Sequence, residues 1–231
     1  MPNYYPIMLD VRQRAALVIG GNCIAAEKAA ALAASGAEVT VMHPGFCEEL
    51  LLLEQRHEVT LRYKTYEPGD LEGAFVVVAA TGDPQSIEAI WTETQQRGQL
   101  VNIVDVPARC SFIVPSILRR DQLTIAVSTE GASPSLAKRI RHYLEGLFPP
   151  TYGAYLRLAK IARGHMRRSG LSYAQRDAFF GDFFDSRVLG LLAEKDEPAA
   201  LATTADLLHS YHVDIEQETL ARELQEAGEY R

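Results

Sequence analysis

The fold of this chain is decided by the stretch AALVIGGNCIAAEKAAALAAS, residues 15–35. Ala15–Ile19 is an apolar run typical of a buried strand, Gly20 and Gly21 predict a sharp turn, and Cys23–Ser35 is Ala-rich and helical. A helix N-terminus after such a turn offers free N–H groups and a partial positive charge. The stretch therefore predicts a site for the pyrophosphate of a dinucleotide.

The glycine motif departs from the usual fingerprint, G-x-G-x-x-G/A, at one position. The first Gly and the closing Ala25 are present, but Asn22 replaces the middle Gly. Asn tolerates left-handed backbone angles, so the turn can form, although the side chain would crowd a phosphate. The alternative is a tight turn of a doubly wound fold that binds no nucleotide. The second strand ends in MHPG, residues 42–45, without the carboxylate or Arg that would distinguish NAD from NADP.

The first 105 residues alternate apolar runs with helical stretches, which predicts an α/β fold with a Rossmann-like parallel sheet. The predicted strands are 15–19, 38–42, 59–63, 75–80 and 100–104, with 75–80 at the centre of the sheet because it is the most apolar. Helices are expected at 23–35, at 46–56 and from Pro84 to about Arg97.

The pattern changes after Asp105. Runs 111–118 and 123–128 predict a hairpin or two crossing strands, and Ser133-Pro134 starts a helix that ends near Gly146. Residues 151–231 predict four or five helices, with breaks at Gly170, 185–186, 197–198 and 213–214; the stretch 214–231 is charged on most faces. We therefore expect three regions: 1–110, 111–150 and a small all-helical domain at 151–231.

Composition excludes several classes of protein. The chain has 231 residues, 47% of them hydrophobic and 23% charged, which is the balance of a folded globular protein. The net charge of −7 argues against a nucleic-acid binder, and no apolar run approaches the length of a membrane span. Residues 1–6 lack the features of a signal peptide, and 3 widely spaced cysteines fit a reducing cytoplasm.

Several further segments resemble one protein family. They are PIMLDVRQRAALVIGG, AAEKAAALAASGAEVTV with HPGF, VVVAATGDP, VNIVDVP and SFIVPSILRRDQLTIAVSTEGASPSLAKRIRHYLE, in the family's order from residue 6 to about 150. The chain resembles the precorrin-2 dehydrogenases, including the dehydrogenase–ferrochelatase module of siroheme synthases. Two departures are Asn22 in place of the third Gly of the family's turn, and Glu27-Lys28 in place of its basic pair.

The resemblance implies a fold and a function. We expect a Rossmann domain with NAD as cofactor, a central region that forms a homodimer, and a helical C-terminal domain. The expected reaction is the NAD-dependent dehydrogenation of precorrin-2 to sirohydrochlorin in the cytoplasm, without nucleic-acid or membrane partners. The alternatives are a bifunctional enzyme that also inserts iron, and a non-catalytic nucleotide- or tetrapyrrole-binding protein. Because the chain ends at residue 231, we expect no methyltransferase domain.

Asp105 is the candidate catalytic base. It lies just past the fifth predicted strand, at the sheet edge where open α/β sheets bind ligands, and the resemblance also marks it as catalytic. The alternative is that Asp105 only orients the substrate or caps the turn before Pro107. Asp83 is interpreted as a turn residue. The cofactor is expected to contact the sheet edge at Gly20, Gly21, Asn22, Cys23, Ile24, His43, Pro44 and Thr81.

The implied substrate carries many carboxylates, so its site should be locally basic. Ser128, Thr129, Gly131 and Ser133 place hydroxyls and N–H groups at a helix start, and 151–170 holds basic residues but no Asp or Glu. Spacings of three, three and four put four of these on one face of a helix. The candidates there and nearby are Lys138, Arg157, Lys160, Arg163 and Arg167. The alternative is a solvated face, or one that forms salt bridges with another subunit.

The histidines indicate no metal site. His209 and His212 could share a helix face, but two imidazoles without a third ligand are more often surface residues. His142 lies near Lys138, Arg139 and Arg141 and is a weaker candidate for contact with substrate or metal.

Overall fold

The computed structural model describes residues 4–229 and divides them into two compact units, one up to Val114 and one from Pro115. The sequence-based predictions for residues 1–3 and 230–231, which include part of the signal-peptide argument, lie outside the described residues. No helix in the described range combines the length and apolar character that crossing a bilayer requires.

The first unit is a five-stranded parallel sheet with helices on both faces, as the sequence predicted. Its strand order is β3-β2-β1-β4-β5. In chain order the elements are β1 (Ala15–Ile19), α1 (Cys23–Ala33), β2 (Glu38–Met42), α2 (Glu48–Gln55), β3 (Thr60–Arg62), β4 (Val76–Ala79), α3 (Pro84–Arg97), β5 (Leu100–Ile103) and a short 3-10 helix, Pro107–Arg109.

The central strand is β1, so the prediction that 75–80 lies at the centre is wrong. All four residues of β4 are buried, but so is most of β1. An apolar run indicates that both faces of a strand are buried, but it does not indicate where the strand lies in the sheet. An apolar core covers each face of this sheet. Val18 and Val78 pack with Ala29 of α1 on one face, whereas Val77 and Ile90 pack on the other.

The second unit begins with an antiparallel hairpin and continues in helices. Its elements are β6 (Ser116–Arg120), β7 (Leu123–Val127), α4 (Pro134–Leu147), α5 (Thr151–Arg168), α6 (Tyr173–Asp185), α7 (Val188–Ala193), α8 (Glu197–Ser210) and α9 (Gln217–Glu229). Of the two arrangements left open by the sequence, the hairpin is the one formed. Its turn is only Asp121-Gln122, because β6 extends through Arg120 and Asp121 adopts a left-handed φ of 57°.

Helices α5 to α9 of the second unit share one apolar core. Phe179 and Phe183 of α6 are fully buried in it, together with Leu208 of α8. Helix α9 also contributes, since Leu220 and Leu224 are buried, although the sequence of 214–231 had been interpreted as charged on most faces. Helix α4 contacts β6, and α5 contacts both hairpin strands. The division of the chain at 111 and 151 therefore stays a prediction.

Candidate active site

Four loops of the first unit meet at the carboxyl edge of its sheet. The register places Ile19 opposite Met42 and Ala79, and Ala79 opposite Ile103, so β1, β2, β4 and β5 end level. The chain order reverses between β1 and β4, and open α/β sheets bind their ligands at such a point. The residues that follow these strands are the predicted Gly20, His43, Thr81 and Asp105.

Both glycines of the turn after β1 are required by close contacts. Gly20 has a φ of +148°, and a Cβ there would lie 2.6 Å from the carbonyl oxygen of Ala80. A Cβ on Gly21 would overlap the carbonyl oxygen of Gly45 and the imidazole of His43. The Gly21 carbonyl accepts a hydrogen bond from the N–H of Cys47 at 2.8 Å. The loop after β2 therefore packs directly on the glycine turn.

Asn22 does not use the left-handed backbone that Asn tolerates. Its φ of −95° and ψ of 177° are extended, and it is the N-cap of α1: its Oδ1 accepts a hydrogen bond from the N–H of Ala25 at 3.0 Å. Asn is favoured at an N-cap because its side chain satisfies a donor that the helix leaves free. Within residues 4–229, the N–H groups of Cys23 and Ile24 have no acceptor. These two exposed donors remain for an anion.

The loops after β2 and β4 form the rim of this site. His43 and Pro44 are exposed, and His43 Nδ1 accepts a hydrogen bond from the Gly45 N–H at 3.1 Å. Thr81 is half-buried, and its Oγ1 accepts from the N–H of Asp83 at 3.2 Å. Asp83 is the N-cap of α3, which agrees with its interpretation as a turn residue.

Asp105 stands at this edge with its carboxylate unused. It is exposed, it has a left-handed φ of 62°, and it makes no hydrogen bond or ion pair within the described part of the chain. The 3-10 helix that begins at Pro107 has no side-chain cap. The geometry therefore gives no support to the alternative that Asp105 caps this turn.

The loop before α4 uses its own hydroxyls. Ser128 Oγ accepts from the N–H of Glu130 at 3.0 Å, and Thr129 Oγ1 accepts from the N–H of Ser133 at 3.1 Å. Ser133 is the N-cap of α4, as predicted, and Gly131 has a positive φ of 87°. These bonds fix the loop and occupy the hydroxyl oxygens of Ser128 and Thr129.

The basic residues of α5 differ in burial and in their partners. Arg157 is half-buried and forms an ion pair with Asp121 in the hairpin turn, so it fastens α5 to the hairpin. Lys160, Arg163 and Arg167 are exposed, and the Arg163 guanidinium lies 4.9 Å from the centre of the Phe180 ring. Lys138 on α4 is also exposed.

The comparisons with known proteins match both units. Residues 7–116 match the family described as putative NAD(P)-binding, and residues 120–147 match the family described as sirohaem biosynthesis protein central. The chain is 34% identical over 206 residues to the siroheme synthase of Zymomonas mobilis, an alignment that covers 89% of this chain and 44% of that one. Against the siroheme synthase of Nitrosomonas eutropha the identity is 38% over 167 residues, covering 72% and 35%.

A solved structure described as SirC, precorrin-2 dehydrogenase, superposes with a TM-score of 0.73 at 26% identity, covering 90% of this chain and 99% of that one. The chain belongs to the family of siroheme synthases and precorrin-2 dehydrogenases. It spans less than half the length of the two siroheme synthases, at 44% and 35%. The family resemblance predicted from the sequence is thereby confirmed, and NAD is supported as the cofactor.

The residues of the first unit fit the cofactor of this family. A Cβ at Gly20 or Gly21 would fill the space against the neighbouring loops, and the two free N–H groups at the start of α1 suit a pyrophosphate. The end of β2 offers no carboxylate for the ribose 2′-OH between Met42 and Gly45. Gly20, Gly21 and the N–H groups of Cys23 and Ile24 form a glycine cradle that suits the phosphates. Nothing in it distinguishes NAD from NADP.

Two of the histidines each lie close to one carboxylate. His142 is exposed, with Nδ1 2.9 Å from a Glu145 carboxylate oxygen, and His209 Nε2 lies 3.2 Å from Asp214 Oδ1. Within residues 4–229 there is no group of three His, Cys, Asp or Glu side chains placed to hold a metal ion.

One feature of the site has no local signal in the sequence. The loop that carries Asp105 is tied back onto β5 by the side chains of Cys110 and Ser111. The signal that could have found it is topological: β5 is an edge strand, and an edge strand needs partners for its outer backbone groups.

Proposed function

We propose that this chain catalyses the NAD-dependent dehydrogenation of precorrin-2 to sirohydrochlorin, a step of siroheme biosynthesis. One observation carries the proposal. The level carboxyl edge of the sheet holds a glycine cradle with two free N–H donors and, two strands along the same edge, a carboxylate that the described residues leave unpartnered. The superposition on a precorrin-2 dehydrogenase supports the same activity.

The residues of the first unit divide the work of this reaction. The bound nicotinamide supplies the hydride acceptor. Gly20 and Gly21 let the backbone approach the pyrophosphate, and the N–H groups of Cys23 and Ile24 bind its oxygens. Asp105 takes the proton that leaves the macrocycle, because no other described group competes for its carboxylate oxygens.

The substrate carboxylates require positive charge and free N–H groups. The exposed Lys138 and Lys160 supply charge, and the loop of Ser128, Thr129, Gly131 and Ser133 supplies the N–H of Gly131, which no described residue uses, just before α4. Arg157 contributes through its ion pair with Asp121, which fastens α5, the helix that carries Lys160, to the hairpin. These contacts are part of the proposal.

A homodimer is also part of the proposal, and α4 supports it. Leu136, Ile140, Tyr143 and Leu147 follow one another at spacings of four, three and four, so they lie on one face of the helix. They are 48%, 38%, 70% and 52% exposed. A continuous apolar stripe of this kind marks an interaction surface, and we assign it to a second copy of the chain.

Dimerisation is tested by light scattering. The double substitution Ile140→Lys, Tyr143→Lys should convert a dimer into a monomer at micromolar concentration, because both charges would be buried against the partner. The matched control is Lys138→Glu, which changes charge on the opposite face of the same helix and should leave the dimer intact. A wild-type chain that is a monomer would refute the assignment.

A cytoplasmic location completes the proposal. All three cysteines are free thiols, which is the usual state in a reducing compartment. We propose no nucleic-acid or membrane partner, in line with a net charge of −7.

The activity itself is tested with purified chain, precorrin-2 and NAD. We expect the absorption spectrum of sirohydrochlorin to appear together with one NADH for each molecule of product. A non-catalytic binding protein would only shift the spectrum of the bound tetrapyrrole. Absence of both products, with NAD binding intact, would refute the proposed activity.

A further inference from the structure

The strand that carries Asp105 is at the edge of the sheet, with β4 on one side only. The backbone groups of Val101 and Ile103 point away from β4, because those of Leu100 and Val104 are the ones that bond toward it. Unpaired groups along such an edge are costly when covered and open to wrong partners when exposed. In this chain the segment after the strand returns to cover them.

Two consecutive side chains complete the edge. Ser111 Oγ accepts a hydrogen bond from the N–H of Val101 at 2.8 Å, while the Ser111 N–H donates to the Val101 carbonyl at 2.9 Å. Cys110 Sγ accepts from the N–H of Ile103 at 3.1 Å and lies 3.3 Å from the carbonyl oxygen of Ile103. The pair therefore takes the place of a sixth strand.

The thiol also contacts the far end of the turn that presents Asp105. The N–H of Val106 donates to the Ile103 carbonyl at 3.2 Å, which closes the turn, and Cys110 Sγ lies 3.4 Å from the carbonyl oxygen of Val106. Asp105 itself makes no hydrogen bond with any residue between 4 and 229, so its position depends on the backbone on either side. Both sides meet at one sulfur atom.

We infer that Cys110 is a positioning residue for Asp105: its thiol ties both ends of the turn 103–106 to β5 and so fixes where the carboxylate stands. This inference rests on the proposed function. Burial raises the pKa of the Cys110 thiol, so at neutral pH it keeps its proton and remains both donor and acceptor. A thiolate would instead face two carbonyl oxygens without a proton to share.

The test compares Cys110→Ala and Cys110→Ser with a matched control, Ser111→Ala. The control removes a similar hydrogen bond from the same strand edge but does not touch the turn. We expect Cys110→Ala to lower kcat about ten- to a hundredfold, as a misplaced catalytic group does, while KM and the Kd for NAD stay near wild type. Cys110→Ser should restore part of kcat, and Ser111→Ala should keep it.

A double-mutant cycle shows whether Cys110 acts through Asp105. In an Asp105→Asn background, adding Cys110→Ala should produce no further loss of kcat, because the group that it positions has lost its function. Additive losses would overturn the inference. So would a folded Cys110→Ala with wild-type kcat, or an equal loss in Ser111→Ala.

Failure of the proposed function gives a different pattern. If the wild type makes no sirohydrochlorin, that function is refuted, and the positioning is then judged by amide hydrogen exchange alone. Exchange at Ile103 and Val106 should be faster in Cys110→Ala than in the wild type, and exchange at Val101 should not change. Unchanged exchange at Ile103 and Val106 would overturn the inference; Cys110→Ser supplies the same measurement if the alanine variant does not fold.

Discussion

Two carboxylates of the first unit have opposite surroundings. Glu93 on α3 is 7% exposed and accepts hydrogen bonds from the Tyr66 hydroxyl at 2.8 Å, the Gly69 N–H at 2.9 Å and the Arg97 guanidinium at 2.9 Å. Asp105 is exposed and has no partner in the described range. The fold has given both carboxylate oxygens of Glu93 hydrogen-bond donors and has left those of Asp105 free. Satisfied polar groups stabilise the fold, whereas free ones at a sheet edge are available to a ligand.

The pKa values of Glu93 and its partner Tyr66 also reflect this buried, hydrogen-bonded setting. Burial acts to raise the pKa of Glu93, but the hydrogen bonds from Gly69, Tyr66 and Arg97 outweigh it, so the pKa lies below its usual value. Burial and the neighbouring carboxylate raise the pKa of Tyr66. The pair is therefore a fixed donor and acceptor across the pH range of ordinary enzymes, and its role is to fasten the chain around Gly69 to α3.

The largest expected effect comes from the glycine cradle. Gly20→Val should abolish NAD binding and lower stability by about 1–3 kcal/mol or more, because its Cβ would meet the Ala80 carbonyl at 2.6 Å. Isothermal titration and thermal unfolding measure the two losses. The control is Gly98→Ala, a positive-φ glycine where a new Cβ would have no atom of a described residue within 4 Å; it should cost about 1 kcal/mol and leave NAD binding intact. A folded Gly20→Val that binds NAD normally would contradict the site.

The second effect separates the two carboxylates by function. Asp105→Asn should lower kcat by about 10²–10⁴ with unchanged NAD affinity and unchanged Tm, since a base is lost but no internal bond. Asn also tolerates the φ of 62°, whereas Asp105→Ala should add a stability loss of about 1 kcal/mol. A cap role would give the reverse pattern, with Tm lowered and turnover kept. Steady-state kinetics with thermal unfolding distinguishes the two.

The third effect is expected in stability alone. Glu93→Gln should lower the free energy of unfolding by about 1–3 kcal/mol at neutral pH and leave kcat unchanged. Because the folded pKa of Glu93 is lowered, its stabilisation is complete above the unfolded value of about 4.3 and is lost as pH falls through the folded value. The gap between wild type and variant in urea unfolding should therefore close in acid.

The same helix offers a control for Glu93. Glu88 forms an ion pair with Arg109 but is 59% exposed, so Glu88→Gln should change stability by about 0–1 kcal/mol. If Glu93→Gln is no less stable than Glu88→Gln, the claim that the hydrogen-bonded Glu93 stabilises the fold is wrong. A loss of kcat in Glu93→Gln without loss of stability would contradict that claim as well.

Local patterns predicted where the candidate site residues of the first unit lie in the fold. The glycine turn and the loop of Asp105 were placed correctly because each follows a strand whose apolar run is visible in the sequence, and parallel strands bring their carboxyl ends to one edge. Helix N-caps such as Ser133 were also visible, since their residue types have a local preference.

Long-range pairings could not be predicted in this way. Arg157 bonds to Asp121, 36 residues earlier, and nothing near Arg157 in sequence indicates that partner. The place of β4 beside the centre is likewise a property of strand order. Cys110 carries no local signal, because its role depends on β5 having an unpaired edge.

The smallest expected effect concerns Asn22, where stability and binding compete at one position. Its Oδ1 accepts from the Ala25 N–H and so occupies a donor that a phosphate could use. Asn22→Gly should cost only a few tenths of a kcal/mol, because Gly is a tolerable N-cap, and should keep or raise NAD affinity; Asn22→Ala should cost about 1 kcal/mol. Chemical unfolding and isothermal titration measure both quantities.

Asn22→Asp isolates the charge from the cap. Asp equals Asn as an N-cap, so stability should stay near wild type, but the added negative charge beside the N–H groups of Cys23 and Ile24 should repel a pyrophosphate and weaken NAD binding. Weaker binding in Asn22→Asp together with equal or tighter binding in Asn22→Gly would show that the helix N-terminus itself is the phosphate site. If Asn22→Gly instead bound NAD more weakly, the amide side chain would be a ligand of the cofactor, and the two free N–H groups would not suffice to explain affinity.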